Sequence, residues 1–174
     1  MLQKTHSIAG FISAEIVLTY QDISFFTWDA AGALLLGCLA GTLADVDKPG
    51  STMAKVLFPL SALLRLLKVK HRTVTHSLLF MLLLVVIAMP FSPLYFWVFI
   101  LSYASHSFID LFNDRGVQLF WPIPFKIRLL PKWIAIDTGS VSETVFRSIL
   151  LVLSLIIPFW TYVLPEIMSR TALF

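Results

Sequence analysis

Long apolar runs separated by polar segments divide the chain, at residues 8–20, 28–44, 74–89, 94–111 and 145–164. A transmembrane helix needs about 17 to 25 such residues. The pattern therefore predicts about five membrane-spanning helices. The first run is short and carries Glu15, which leaves it room to lie partly inside a bundle. Two longer polar segments join the spans. Within residues 48–73, the stretch from Phe58 to Lys70 is apolar with Arg65, Lys68 and Lys70 toward its end, the pattern of an interfacial helix drawn to anionic lipid heads. Residues 113–143 mix aromatics, prolines and basic residues, as expected of a belt at headgroup level or a lid over a site.

Composition agrees with the pattern. Of 174 residues, 58% are hydrophobic and 13% charged, whereas soluble domains carry roughly a quarter charged. The expectation is an all-α integral membrane protein, with residues 1–174 forming a single membrane-embedded helical domain. Lys4 leads into a run interrupted by Glu15 with no small-residue cleavage site, so no cleaved signal peptide is expected. Cys38, the single cysteine, falls inside the second run and reads as a packing residue. Gly-rich phosphate loops, CxxC pairs and serine nucleophile elbows are missing from the sequence. The basic and aromatic residues of the second long loop suit a membrane surface better than nucleic acid, and no nucleic-acid partner is expected.

Charge sets the topology. With five alternating spans, the N-terminus and both long loops share one side, which receives every lysine and arginine except Arg170. By the positive-inside rule that side is cytoplasmic, and the C-terminus is periplasmic or extracellular. This predicts a multi-pass membrane protein with its N-terminus in the cytoplasm.

The four histidines and several acids then fall at one depth. His6 opens the first span, Asp45 and Asp47 close the second, His71 and His76 open the third, His106 and Asp110 close the fourth, and Glu143 opens the fifth. Ionisable residues are costly in hydrocarbon and usually mark ion pathways, proton relays or metal sites. His106 and Asp110 are four apart, so on one helix they point the same way, as two ligands must. His71 and His76 are five apart, and joint coordination requires a bend between them. Asp45 and Asp47 precede Lys48-Pro49-Gly50, where a helix ends, and hard oxygen ligands there suit zinc, manganese or magnesium.

Plainer roles compete at several positions. Asp45 and Asp47 also fit simple helix termination, and one of them fits a place behind the ligands. Ser140-Val141-Ser142-Glu143 matches a capping box, so Glu143 is as well suited to capping as to catalysis. Arg72, between two candidate ligands, reads as an anion clamp or as a positive-inside charge. Glu15 either extends the polar site or pairs with another helix. Thr5-His6-Ser7 and Thr75-His76-Ser77 each begin a helical hairpin that returns to acids, which hints at a parallel repeat.

At these residues the chain resembles the YdjM-like, LexA-regulated inner-membrane proteins of bacteria, a family described as membrane-bound metal-dependent hydrolases. The family pattern appears as Thr5-His6, Ala44-Asp45-Val46-Asp47, His71-Arg72-Thr73-Val74-Thr75-His76-Ser77 and Ser105-His106-Ser107-Phe108-Ile109-Asp110. Ala44 stands where the pattern has proline and Thr73 where it has glycine, and neither change removes a ligand. The resemblance implies hydrolase activity.

The sequence thus predicts a metal-dependent hydrolase open to the cytoplasmic leaflet. His6, Asp45, Asp47, His71, His76, His106 and Asp110 are the candidate metal ligands, with Arg72 and Glu143 as candidate catalytic residues. Seven ligands exceed what one tetrahedral zinc needs, so two divalent ions, zinc or manganese before magnesium, fit the count. A phosphoester of a lipid or lipid-linked substrate is the expected target, with membrane lipid as the expected partner. The rivals are an ion or metal transporter, which normally binds at the bilayer midplane, and a non-catalytic adaptor with a structural metal.

Overall fold

A computed structural model of the chain describes residues 1–171, without the side chains of residues 166 and 169–171, among which Arg170 falls. Its elements are α1 (Gln3–Tyr20), α2 (Trp28–Leu43) with a 3-10 turn (Ala44–Asp47), α3 (Thr52–Val56), α4 (Phe58–Leu66), a second 3-10 turn (Val74–His76), α5 (Leu78–Ala88), α6 (Pro93–Asp110), α7 (Val141–Pro158) with a π turn (Phe159–Val163), and α8 (Leu164–Thr171). No strand occurs among the described residues. Local sequence sets the boundaries: Thr27, Ser51, Ser77 and Ser140 each accept a backbone N–H in the first turn of the following helix, and Pro93 sits where a missing N–H costs nothing.

Two stretches, Trp28–Asp47 and Val141–Val163, are long and apolar enough to cross a membrane. This corrects the expectation of about five spans. The shortfall has three physical sources. α1 carries Lys4, His6 and Glu15, and α6 carries Ser102, Ser105, His106, Ser107 and Asp110, so both are too polar. α5 has 11 residues, about 16 Å of helix, or half of a hydrocarbon core.

α1, α2 and α6 pack against one another and form the heart of the molecule, α7 lies on α1, and α5 lies on α6. The approach of α1 to α2 depends on small residues. A Cβ added at Gly41 would lie 2.6 Å from the carbonyl oxygen of His6, and one at Gly37 would lie 2.6 Å from that of Gly10. Close backbone contact of this kind drives helix association in lipid, where apolar side chains gain little from leaving the solvent. Ser102 of α6 donates to the Gly10 carbonyl at 2.9 Å, joining the third helix to the pair.

Polar groups face inward and leucines outward. Leu79, Leu82, Leu83, Val86 and Ile87 of α5 are exposed, as is most of α7, whereas His6, Asp45, His76, His106 and Asp110 are buried. That inversion suits a lipid surround. α1 departs from one end of the bundle, α2 and α6 return to it, and α7 starts there, so every histidine gathers at that end.

Candidate metal centre

His6, in the first turns of α1, and His106, near the end of α6, stack face to face with ring centroids 3.6 Å apart and planes 9° apart. The Gly41 backbone approach described above makes this possible, because it holds α1 close beside α2. His106 Nδ1 donates to the Gly41 carbonyl at 2.7 Å, which fixes the tautomer and leaves the Nε2 lone pair facing inward. His76 lies in the 3-10 turn before α5, its ring edge-on to His106 at 4.9 Å. The bend required between His71 and His76 is present: Arg72 adopts φ +64°, and its carbonyl accepts from Gln118 N at 3.0 Å. A non-glycine residue in this left-handed region costs about 1–3 kcal/mol and persists where its surroundings hold it.

Asp47 stands behind the histidines. Its Oδ1 accepts from His71 Nδ1 at 2.8 Å and its Oδ2 accepts from the Thr75 hydroxyl at 2.7 Å. Thr75 Oγ1 in turn lies 3.0 Å from His76 Nδ1. Since Thr75 gives its proton to Asp47, it accepts from His76, so one carboxylate sets the tautomers of two imidazoles. Both oxygens of Asp47 are thereby engaged, which moves it from the expected ligand set to an orienting role. Asp45 faces the other way: its Oδ1 is 3.7 Å from His71 Nε2 and 3.8 Å from His106 Nε2, and its Oδ2 is 3.6 Å from Lys48 Nζ.

Asp110 completes the ring of donors. Its Oδ2 lies 3.8 Å from His76 Nε2 and 4.0 Å from His106 Nε2, and its Oδ1 lies 3.4 Å from His6 Nε2. Arg72 grips it, with Nε 3.0 Å from Oδ2 and a second nitrogen donating to Oδ1 at 3.2 Å. The remaining guanidinium nitrogen donates to the Asn113 side-chain oxygen. Arg72 is buried, and its guanidinium nitrogens are engaged by Asp110 and Asn113, an arrangement that holds the Asp110 carboxylate in place. The Glu143 carboxylate accepts from Leu2 N, the Thr5 hydroxyl at 2.9 Å and Gly139 N at 2.6 Å, tying the head of α1 to the head of α7. Ser140 caps α7 as expected, accepting from Glu143 N at 3.2 Å.

Three overlapping groups have ligand atoms within 4.8 Å of one another: His6, Asp45 and His106; Asp45, His71 and His76; and His76, His106 and Asp110. The test of fit is hydrogen bonding. Nε2 of His6, His76 and His106 are buried with no hydrogen-bond partner, whereas Asp45 Oδ2 and Asp110 Oδ2 are ion-paired with Lys48 and Arg72. A buried unsatisfied polar atom costs about 1–3 kcal/mol, and three such imidazole nitrogens, each grouped with Asp45 or Asp110, form a donor set suited to a divalent cation. Burial, with His106 close by, holds His76 well below the ordinary imidazole range. It is therefore neutral, the form that ligates a metal.

Several contributors escape sequence reasoning. Thr75 and Asn113 are buried and fully used, and the Tyr103 hydroxyl donates to the Thr75 carbonyl. The α-amino group of Met1 lies 2.8 Å from Asp110 Oδ1. Asn113 reaches back to the Ile136 carbonyl at 2.7 Å, so the 113–143 loop braces Arg72 from behind. Thr75 had a signal in its spacing beside His76. Asn113 had none beyond lying three residues after Asp110. Glu15 joins neither the cluster nor an ion pair among the described residues, its Oε2 buried without a partner. Of the cluster's imidazoles, that of His71 is part-exposed, at 27%, beside the 36% exposed Lys48.

The chain is 29% identical over 147 residues to the uncharacterized protein YvsG of Bacillus subtilis (strain 168), covering 82% of this chain and 85% of that one. No solved structure matches it. The profile of the YdjM inner membrane protein family matches residues 1–171, and the chain belongs to that family.

Proposed function

We propose that this membrane protein is a metal-dependent hydrolase acting on a phosphoester of a lipid or lipid-linked substrate at the cytoplasmic leaflet. One observation carries the reading: Nε2 of His6, His76 and His106 are buried without hydrogen-bond partners, and each of these histidines belongs to a group with Asp45 or Asp110 whose ligand atoms lie within 4.8 Å of one another. His6, Asp45, His71, His76, His106 and Asp110 would hold the metal, with Asp45 placed between two of the three groups and suited to bridge two ions. When bound, such ions polarise a phosphoryl oxygen and bring a coordinated water toward neutral pKa.

The chain's own residues account for the rest. Asp47 and Thr75 hold His71 and His76 in the ligating tautomer, Gly41 does so for His106, and Arg72 fixes Asp110. Lys48, at the exposed side beside His71, is placed to meet a substrate anion, the role first expected of Arg72. The basic residues of the 48–73 and 113–143 segments support a cytoplasmic position for this end of the bundle.

Elemental analysis of purified protein tests the centre, with zinc or manganese expected at one to two equivalents. A screen of phosphorylated lipids with and without chelator then tests the activity. Chelator-sensitive turnover is expected. Stoichiometric metal with no turnover across the screen would favour a structural clamp in a non-catalytic adaptor, and metal-free protein would remove the basis of both readings.

A further inference from the structure

A second feature lies on the opposite face of α1, away from the histidines. Lys4, Ser7, Ile8, Phe11 and Glu15 border hollows on that face, and their spacing puts them along one side of the helix. Across from them stand Arg147, Leu151, Leu155 and Pro158 of α7, also along one side. Both helices start at the same end, because Glu143 at the head of α7 accepts from Leu2 N and the Thr5 hydroxyl.

Two hollows of about 480 and 450 Å³ occupy this seam, and Ser7 borders both, so they form one groove. Its head is basic. Lys4 and Arg147 lie there and make no ion pair with any described residue. Its length is mostly apolar, with Ile8 and Phe11 facing Leu151 and Leu155 and with Glu15 and Ser154 also bordering it. Phe25 closes the far end, edge-on to Tyr162 at 4.9 Å, and the Tyr162 hydroxyl donates to the Ile23 carbonyl at 2.8 Å. From Lys4 to Glu15 the helix rises about 16 Å, close to half of the roughly 30 Å hydrocarbon core. The groove therefore has the length of one leaflet, with cations where headgroups lie.

We propose that the α1–α7 groove binds one anionic membrane phospholipid, its phosphate paired with Lys4 and Arg147 and one acyl chain lying along Ile8, Phe11, Leu151 and Leu155. Charge complementarity selects the occupant: a zwitterionic lipid returns a cation to the two basic residues, and a peptide helix would need more width than one chain. The site is distinct from the metal centre, since His6 turns into the cluster while the neighbouring Ser7 faces the groove.

Native mass spectrometry of the detergent-purified, chelator-treated protein tests this by binding alone, so its outcome does not depend on hydrolase activity. Titration with phosphatidylglycerol should retain one lipid after collisional stripping, with phosphatidylcholine retained about tenfold less. Lys4→Ala combined with Arg147→Ala should lower phosphatidylglycerol retention about tenfold, and Leu151→Trp, which fills the exposed groove from one wall, should do the same with the head intact. Glu15→Gln, uncharged and of the same shape, should hold retention within twofold. Equal retention of the two lipids would overturn the proposal, as would indifference to both the double and the Leu151→Trp variants. So would a lipid-free dimer joined through this seam. A large loss in Glu15→Gln would show that the floor takes a polar group and would overturn the acyl-chain assignment.

Discussion

The imidazole of His71 and the carboxylate of Asp47 meet at 2.8 Å, with Nδ1 as donor, and the other Asp47 oxygen takes the Thr75 hydroxyl at 2.7 Å. Asp47 thus stands behind His71 and His76, whereas Asp45 faces His71 and His106. The two acids, separated by one residue, should respond differently to substitution. Asp47→Asn is expected to keep the metal stoichiometry and weaken affinity about 10- to 100-fold, the usual effect of losing an outer partner of a ligating histidine. Asp45→Ala should lose at least one equivalent. Competition with a chromophoric chelator measures both, and equal loss of stoichiometry in the two variants would return Asp47 to the ligand set.

Arg72 places a buried guanidinium against Asp110 and Asn113. Removing one partner of a buried pair typically costs about 3–5 kcal/mol, because the other charge is left uncompensated. Arg72→Ala should therefore unfold more easily and also bind metal weakly. Arg72→Lys should recover part of the stability and little of the metal affinity, since a single ammonium cannot reproduce the planar fork. Denaturation in detergent alongside metal titration separates the two effects. A variant with normal stability and metal content but a raised KM would instead mean that Arg72 meets substrate directly.

Much of the site's membership was legible because ionisable residues stand out against apolar runs. His6, Asp45, His76, His106 and Asp110 could be placed at one helix end from span boundaries alone, and the apolar stretch within 48–73 is helical over Phe58–Leu66. Roles were harder to read. Asp45 and Asp47 are alike in sequence, and only the fold shows which faces the histidines and which stands behind them. Arg72 reads as a free cation until Asp110 is seen beside it. Five spans is too many because length alone does not make a span: α1 carries polar residues on two faces, His6 inward and Lys4 on the opposite side, and α6 carries His106 and Asp110 inward. Asn113 carries no charge, and nothing in its sequence neighbourhood marks a buried hydrogen-bonding role, whereas Thr75 had only its place beside His76 to mark it.

Gly41 links helix packing to the metal centre. A Cβ there would lie 2.6 Å from the His6 carbonyl, and the Gly41 carbonyl itself receives His106 Nδ1. Gly41→Ala should separate α1 from α2, at a cost of about 1–3 kcal/mol for overpacking, only partly offset by about 1 kcal/mol of helix propensity. Metal affinity should fall with it, because His6 and His106 shift together. Gly32→Ala is the control. Its Cβ would meet the hydroxyl end of Tyr95 at 2.9 Å, an end that can swing away, so stability should be unchanged or higher. Thermal unfolding and metal titration of the pair check the contrast, and a Gly41→Ala protein as stable and as well metallated as the parent would refute the link.

Acid should weaken the metal-free protein through His76. Burial holds this imidazole neutral in the folded state, well below the ordinary value of 6.5, which the unfolded chain regains. Below pH 6.5 the unfolded state therefore binds a proton that the folded state refuses, so stability falls as pH falls and is retained above that value. One such group contributes a slope of up to about 1.4 kcal/mol per pH unit. Chemical denaturation of chelator-treated protein between pH 7.5 and 5 should show the decline, and His76→Gln, which has no imidazole to protonate, should reduce the slope by up to that amount. The same proton competes with metal for Nε2, and because the folded imidazole takes it up only well below pH 6.5, the metal-loaded protein should keep its ions over this range and release them at lower pH. An unchanged slope in His76→Gln would show that the acid sensitivity arises elsewhere.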